Sequence, residues 1–324
     1  MSNPENSPQV EVCASESAPA AELLTARDVP LGGVRAMSVR RTLPQRSRSL
    51  IGAWCFADHY GPDDVSVTGG MNVAGHPHTG LQTVSWLFSG EIEHRDSIGS
   101  HAFVRPGQMN LMTAGHGIAH SEYSTASTTT LHGVQLWVAL PERSRDTAPA
   151  FEHYEPPAVD VDGARVVVFL GSLLGSTSPV TMFTPLVGAE ITLRPGQTLD
   201  VPVDPAYEHG VLVDTGSATV GGIDAKRSEL VYQPTGGSTL RLRGSDDEAT
   251  RVLVLGGEPF GEQILMWWNF VGRGQEEVAA YREEWERERR GGQGGTVRYG
   301  ALPTEWEETI PAPPMPTVRL KLRG

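Results

Sequence analysis

The chain has 324 residues, of which 39% are hydrophobic and 20% charged, so it can bury a core and its composition is not that of a disordered protein. Its formal net charge is −13, from 39 acidic and 26 basic residues, which repels phosphate backbones and argues against direct binding of nucleic acid. The 37 glycines and 24 prolines favour many short strands over a few long helices.

The first 24 residues are rich in Ser, Pro, Glu and Ala, which predicts a flexible tail over 1–24. They contain neither a basic n-region nor an apolar h-region, and the whole sequence lacks a run of 18 apolar residues. The two cysteines, Cys13 and Cys55, do not make a disulfide framework, and Cys55 is expected to be a small buried hydrophobe. We therefore expect a cytoplasmic protein without membrane contact, and the acidic composition favours a monomer.

From about Arg27 onwards, short apolar segments alternate with turn signals, which predicts strands of four to eight residues. Two such runs are separated by the proline-rich, charged stretch 141–160, which predicts a linker across which strands are exchanged. The two runs have a similar order of strands and Pro-Gly turns, which suggests duplicated β-barrels. The predicted barrels cover residues 25–150 and 151–273.

One helix is expected at 274–290, because Val278, Tyr281 and Trp285 fall on one face and the charges match the helix dipole. It should pack on a barrel, and residues 291–324 are expected to form a proline-rich tail. The aromatic run 267–270 is interpreted as core or interdomain packing rather than as a cofactor site.

Two short motifs that contain histidine are the main candidates for metal ligands. His76 and His78, and then His120 and Glu122, are each spaced i, i+2, so that both members of a pair face the same side of a strand. On neighbouring antiparallel strands these pairs would surround one point. Imidazole and carboxylate ligands without a thiolate suit Fe(II), Mn, Ni, Co or Cu better than a closed structural zinc site, and they leave positions open for water, dioxygen or substrate.

The other histidines are weaker candidates. His116 follows a glycine on the turn before the second pair and is a candidate pocket residue, as is Gln135 on a later strand. The remaining histidines have no partner at ligand spacing and are expected to be solvated or hydrogen-bonded: His59, His94, His101, His132, His153 and His209. The sequence contains neither a phosphate-binding loop nor a serine-hydrolase elbow.

These residues also resemble a known family. The stretch GHPHTGLQTVSWLFSG at 75–90 looks like the first metal motif of the pirins, within the cupin superfamily. EIEHRDS at 91–97, NLMTAGHGIAHSE at 110–122 and HGVQLW at 132–137 are similar to the segments that follow it, and the resemblance extends over about residues 27–290.

The resemblance implies an all-β bicupin, in which two antiparallel β-barrels of the jelly-roll type are followed by a short C-terminal helix. It implies one divalent metal per chain in the N-terminal barrel, most often Fe(II), with Mn, Ni, Co, Cu or Zn as alternatives. The ligands would be His76, His78, His120 and Glu122. The C-terminal barrel would lack a metal, in agreement with the absence of a His-X-His pair from 207–214.

Several pirins resemble quercetin 2,3-dioxygenases, which open a flavonol ring with O₂ and release carbon monoxide. The expected substrate is then a small flavonol-like aromatic, and Glu122 is the expected catalytic residue, as ligand and base. The alternatives are a metal- or redox-sensing regulator that binds a transcription factor or metabolic enzyme, and a metal-containing bicupin with another substrate. Many relatives carry a glutamate where this chain has Gln82, a third candidate pocket residue, which can orient a substrate but cannot act as a base. If that position is a proton acceptor in the relatives, the dioxygenase activity of this chain should be weaker or absent; if it only orients other groups, little should change.

Overall fold

The strands of this protein follow the predicted alternation of apolar segments and turns. The structure is a computed structural model that describes residues 11–13, 20–31, 37–291 and 297–316. Each of the two halves is a jelly-roll sandwich of a large and a small antiparallel sheet, which confirms the predicted all-β bicupin class.

In the N-terminal half, the large sheet has seven strands in the order β13-β10-β7-β12-β5-β4-β3 and the small sheet has the order β6-β11-β8-β9. The strands up to β13 are β1 (Glu11–Cys13), β2 (Glu22–Leu24), β3 (Arg27–Leu31), β4 (Met37–Leu43), β5 (Trp54–Asp64), β6 (Asn72–His78), β7 (Leu81–Ser89), β8 (Ile92–Asp96), β9 (His101–Val104), β10 (Met109–Thr113), β11 (Ile118–Ser124), β12 (Thr130–Ala139) and β13 (Ala150–Tyr154). A four-residue helix, α1 (Val65–Thr68), follows β5.

In the C-terminal half, the large sheet has the order β14-β15-β17-β24-β19-β22-β2, with β16 paired to β15, and the small sheet has the order β18-β23-β20-β21. The remaining elements are β14 (Ala158–Val161), β15 (Ala164–Leu173), β16 (Ser176–Thr177), β17 (Leu186–Leu193), β18 (Thr198–Pro202), β19 (Glu208–Thr215), β20 (Ser217–Val220), β21 (Ile223–Lys226), β22 (Leu230–Gln233), β23 (Thr239–Gly244), β24 (Thr250–Gly257), β25 (Ile264–Trp267), β26 (Phe270–Gly272) and α2 (Gln275–Glu288).

The two large sheets pack face to face, and one apolar cluster extends through both halves. Trp86 stacks on Phe169 with ring centroids 4.9 Å apart, and its indole N–H donates to Glu190 Oε2 at 2.9 Å. The indole N–H of Trp54 is shared between the carbonyls of Val187 and Gly256, each at 3.2 Å. Because these polar ends are satisfied across the junction, the large aromatic side chains can be buried there without an unpaired donor.

The strand pairing shows elements inside two of the segments that were predicted as a tail and a linker. The predicted tail 1–24 includes β1, which pairs with β25, and β2, which pairs with β22 of the C-terminal half; its other residues before 20 lie outside the described residues. Within the predicted linker, β13 pairs with β10 and belongs to the N-terminal sheet, so the strand that crosses to the other half is β2. We propose the boundary between the halves to lie between β13 and β14 rather than at residue 150.

The C-terminal helix begins and ends close to the predicted positions, and the segment 297–316 packs against it instead of forming a loose tail. Trp285 is buried, and its indole N–H donates to the carbonyl of Ile310 at 2.8 Å. The backbone N–H of Ile310 donates to the carbonyl of Gly75 on β6 at 2.8 Å. The aromatic run 267–270 belongs to the same cluster as Trp285 and Ala119 of β11, so its predicted role in packing is confirmed. This cluster covers one face of the small N-terminal sheet.

Cys55 is fully buried, as predicted, and burial raises the pKa of its thiol to about 12. Neither helix in the described part of the chain is long and apolar enough to cross a membrane.

Replacing Trp285 by Ala should lower the free energy of unfolding by about 3–5 kcal/mol, because a large buried side chain and its hydrogen bond to Ile310 are lost. The measurement is urea denaturation followed by circular dichroism. Glu283→Ala, on the exposed face of α2, is the matched control and should change stability by less than about 0.5 kcal/mol. Equal effects of both substitutions would contradict the packing role of Trp285.

Candidate metal centre

The predicted ligands lie on two strands that are hydrogen-bonded to each other. His76 and His78 are on β6, and His120 on β11 lies directly opposite His76 in the antiparallel register. The i, i+2 spacing turns both β6 histidines to one face of the sheet, where His120 joins them. A bulge between His120 and Glu122 shifts the register of β11, so that Glu122 pairs with Val73.

Three imidazoles form a tight group. The ring centroids are 4.3 Å apart for His76 and His120, 5.0 Å for His78 and His120, and 5.1 Å for His76 and His78. One nitrogen from each ring lies within 4.8 Å of the other two, and all three side chains are fully buried. This spacing is short enough for one ion to be bound by all three rings.

The hydrogen bonds leave nitrogen lone pairs facing the middle of the group. His76 Nδ1 lies 2.9 Å from the carbonyl of Ala74, which can only accept, so Nδ1 carries the proton and Nε2 is a bare lone pair. Among the described residues, the Nε2 atoms of His76, His78 and His120 have no hydrogen-bond partner. Each unpaired buried group costs about 1–3 kcal/mol, so three together are expensive unless a metal or water compensates them.

Burial also keeps these rings in the neutral form that binds metal. It lowers the pKa of His76 to about 3, and it lowers the pKa of His78 and of His120 well below the ordinary value, with neighbouring imidazoles adding to the effect. At neutral pH the rings therefore do not repel a cation. Three buried, neutral imidazoles are therefore a set of nitrogen donors that can bind a divalent metal.

Glu122 lies beside this group rather than at its centre. It is buried and forms a second, overlapping group with His94 and His120, in which the ligand atoms are again within 4.8 Å. Its Oε1 atom accepts a hydrogen bond from the Ser85 hydroxyl at 3.3 Å. The structure thus brings the carboxylate next to one candidate ligand, His120, on the same side of the sheet.

His94 and Asp96 extend the site behind His120. Asp96 Oδ2 lies 3.1 Å from His94 Nε2, and a carboxylate accepts, so this nitrogen carries the proton of neutral His94. His94 Nδ1 is then an acceptor for His120 Nδ1, 3.3 Å away. This arrangement fixes the tautomer of His120 that leaves Nε2 free for a metal.

The sequence reasoning missed His94, although His94 and Asp96 have the same i, i+2 spacing as the two recognised pairs. That spacing is the signal that could have identified them.

A row of polar side chains crosses the large sheet on the side that faces Glu122. In register across the strands lie Asp58, Gln135, Ser85 and Asn110. The Ser85 hydroxyl lies 2.9 Å from Gln135 Oε1, and in the described part of the chain neither Gln135 Nε2 nor Asn110 Nδ2 has a partner. Two buried amide donors are therefore available to a ligand with acceptor atoms.

Aromatic side chains form a wall beside the histidines. Trp137 meets His78 edge-on at 5.2 Å and stacks on Phe56 at 4.1 Å, while Phe151 stacks on His94 at 4.7 Å. Flat apolar surfaces of this kind exclude water and suit a planar aromatic ligand.

Gln82 and His116, the other two predicted pocket residues, lie apart from the histidine group. Gln82 is on the opposite face of β7 from Ser85, and its Nε2 donates to Thr113 Oγ1 at 2.9 Å and to the carbonyl of Thr181, in the C-terminal half, at 3.2 Å. His116 lies on the turn before β11, as expected, and its Nδ1 is 3.2 Å from the carbonyl of Thr147. His116 is not in a group of His, Cys, Asp or Glu side chains that could hold a metal ion within the described residues.

Two of the histidines that the sequence left without a ligand partner belong to a separate, third buried group. His59 and His132 meet Asp214 at the junction of the halves, more than 70 residues apart along the chain, and nothing in the sequence pattern announces them. His101 is exposed and pairs with Glu93, His153 contacts Asn110, and His209 is buried.

The glycines that flank the first pair are required by close packing. A Cβ at Gly75 would lie 2.4 Å from the Trp306 ring. Gly80 has a left-handed backbone with φ of 70°, and a Cβ there would lie 2.3 Å from the carbonyl oxygen of Val271. The C-terminal segments can therefore approach β6 closely.

Comparisons with known proteins agree with this geometry. Residues 34–138 match the family described as Pirin, and residues 188–291 match the Pirin C-terminal cupin domain. The chain is 43% identical to a Pseudomonas aeruginosa protein named as a candidate quercetin 2,3-dioxygenase, over 90% of each sequence.

Solved structures show the same fold. A quercetin 2,3-dioxygenase from Acinetobacter baumannii superposes with a TM-score of 0.86 at 37% identity, covering 94% of this chain and 98% of that one. The bacterial pirin YhhW from Escherichia coli, solved in complex with nickel(II), superposes with a TM-score of 0.59 at 21% identity, covering 74% and 99%.

Replacing His94 by Asn should weaken divalent metal binding by about 10- to 100-fold, because His120 loses the acceptor that fixes its tautomer. The measurement is competitive titration of metal-free protein with a chromophoric chelator. His101→Asn, at an exposed histidine on the neighbouring strand, is the matched control and should leave affinity unchanged. An unaltered affinity in the His94 variant would remove His94 from the site.

Proposed function

This chain belongs to the pirin family, and from that premise we propose that it is a metal-dependent dioxygenase that opens the ring of a flavonol-like aromatic with O₂. We place the reaction in the N-terminal half, in the reducing cytoplasm. The observation that carries the proposal is the group of three buried, neutral imidazoles whose Nε2 atoms lack a partner among the described residues.

The proposed ligands are His76, His78, His120 and Glu122. Family and donor set together indicate a divalent metal, and we propose Fe(II), with Mn, Ni, Co, Cu and Zn to be separated by experiment. When bound, the metal would supply Lewis-acid chemistry to the ionised 3-hydroxyl of the substrate.

Glu122 is proposed to take the proton of that hydroxyl. Its carboxylate is buried beside His120, and its Oε1 atom accepts from the Ser85 hydroxyl at 3.3 Å, which holds the carboxylate close to the proposed metal ligands. For a general base, closeness to the hydroxyl whose proton it takes matters more than a shift in the pKa of the base.

The walls of the site are proposed to select and orient the substrate. Trp137 and Phe56 offer stacked rings against which a planar aromatic can lie, and the amide donors of Gln135 and Asn110 can bind its carbonyl or hydroxyl oxygens. Both donors lie on the face of the large sheet that carries Ser85, and therefore on the side of Glu122.

The glutamine that replaces the common glutamate at position 82 is not proposed to weaken this chemistry. Gln82 shares its face of β7 with Val84 and Trp86, which pack against the C-terminal half. A base at this position would point towards the junction and away from Glu122, so the substitution leaves the proposed proton acceptor in place.

The protein reconstituted with Fe(II) or Mn(II) should consume quercetin with an equal amount of O₂, followed by loss of quercetin absorbance and by an oxygen electrode. The double variant His78→Ala/His120→Ala should bind less than a tenth of the metal and lose turnover, because two imidazole ligands are removed. His101→Ala is the control and should retain both.

Turnover that persists in the double variant would contradict the proposed site. Full metal binding without turnover of any flavonol tested would overturn the dioxygenase activity but not the metal site. The regulatory alternative would then be favoured by recovery of one stoichiometric protein partner with metal-dependent affinity.

The two glutamines should respond differently to substitution. Gln135→Met should lower kcat/KM for quercetin by about tenfold, the value of one lost hydrogen bond to the substrate, whereas Gln82→Met should stay within about twofold. Steady-state kinetics at matched metal content is the measurement. The reverse order of effects would show that the substrate lies on the Gln82 side of β7.

A further inference from the structure

A second group of potential metal ligands lies at the junction of the two halves, and we call His59, His132 and Asp214 the junction site. His59 is on β5 and His132 on β12, both in the large N-terminal sheet, and Asp214 is on β19 of the large C-terminal sheet. His59 alternates with Asp58 along β5, so the junction site occupies the opposite sheet face from the polar row beside Glu122. It is therefore separate from the first metal centre.

The three ligand atoms converge closely. Asp214 Oδ1 lies 2.7 Å from His59 Nε2 and 2.6 Å from His132 Nε2, and the two Nε2 atoms are 3.3 Å apart. All three residues are buried, with His132 the most exposed at 7%. Ligands about 2.0–2.1 Å from a tetrahedral ion are separated by roughly 3.3–3.4 Å, so the two nitrogens already have this spacing. Only the Asp214 carboxylate would have to move away from the two imidazoles, by about 0.7 Å, to reach the same separation.

His59 and Asp214 are each held on their far side by a further partner. His59 Nδ1 lies 2.8 Å from the Ser228 hydroxyl. Asp214 Oδ2 accepts from Arg251 Nε at 2.6 Å and from the Thr215 hydroxyl at 2.8 Å. Such supports orient metal ligands in known sites. Ser228 has a left-handed backbone with φ of 66°, an unfavourable conformation for a residue with a side chain.

We propose that the junction site binds a second divalent cation of the Zn²⁺ type, which links the two halves of the chain. Two imidazole nitrogens and one carboxylate oxygen are the ligands that such an ion prefers. The ion would replace the two protons that otherwise join the Nε2 atoms to Asp214. His59 would then carry its proton on Nδ1 and donate it to Ser228.

The charges around the junction site affect how tightly it would bind a cation. Burial lowers the pKa of His59 to about 4, so its ring is neutral at physiological pH. Burial by itself would raise the pKa of Asp214, but hydrogen bonds from His132 and His59 and the charge of Arg251 hold it far below the usual value. Arg251 and the nearby Arg40 also repel a cation, so the junction site should bind more weakly than the first centre.

The test is a titration of the metal-free, full-length protein with Co²⁺, whose visible absorption reports its coordination, followed by Zn²⁺ competition. Wild type should bind two equivalents, the second at least tenfold more weakly and with the intense bands of a tetrahedral site. The variant His76→Ala/His120→Ala should keep one equivalent with those bands. The variant His59→Asn/His132→Asn should keep only the tighter equivalent, and His209→Asn, at a buried histidine outside both groups, should keep both.

A single equivalent in wild type that disappears in His76→Ala/His120→Ala would overturn the junction site and leave the first centre intact. A single equivalent that survives there and disappears in His59→Asn/His132→Asn would support the junction site and count against the first. If the latter variant does not fold, wild type and His76→Ala/His120→Ala still decide between these outcomes. Zn²⁺ should also raise the Tm of His76→Ala/His120→Ala, and no increase at saturating Zn²⁺ would contradict a link between the halves.

Discussion

The antiparallel register of β6 and β11 is the constraint on which the candidate centre depends. His120 lies opposite His76, and the pleat turns His78 to the same face, so three imidazoles meet without any contribution from a loop. A slip of this register by one residue would turn the histidines of one strand to the outer face. The outer face is packed with aromatic side chains that surround Ala119, and this packing resists such a slip.

The second requirement is that the site be closed to water, and elements far away in sequence provide this. The strands β25 and β26, the helix α2 and the segment 297–316 cover the small N-terminal sheet, and Trp306 contacts Gly75 next to the first ligand. The C-terminal half covers the large sheet through the shared core around Trp54, Trp86 and Phe169. Burial makes the imidazoles neutral and makes their unpaired nitrogens costly, and both effects favour a bound cation.

The two faces of the large N-terminal sheet carry different sets of polar side chains. One face carries Ser85, Gln135 and Asn110 beside Glu122, and the other carries Gln82, His59 and His132 at the junction with the C-terminal half. Strand alternation separates residues that are neighbours in sequence, and this is why Gln82, only four residues from His78, points to the junction and not to the face that carries Ser85. The residue types in this sequence motif do not by themselves show on which face of the sheet each side chain lies.

The sequence by itself determined the all-β fold, the helix near 275–288 and the shared strand face of His76 and His78, because these depend on periodicities of two or 3.6 residues within one segment. It also predicted the burial of Cys55, from the apolar character of that residue. The tertiary structure decided what depends on contacts between distant segments. It placed β2 in the C-terminal sheet, packed 297–316 against β6, set His94 and Asp96 behind His120, and joined His59 and His132 to Asp214. Side chains 73 to 155 residues apart meet only after the sheets have stacked, and no local pattern records which strands will face each other.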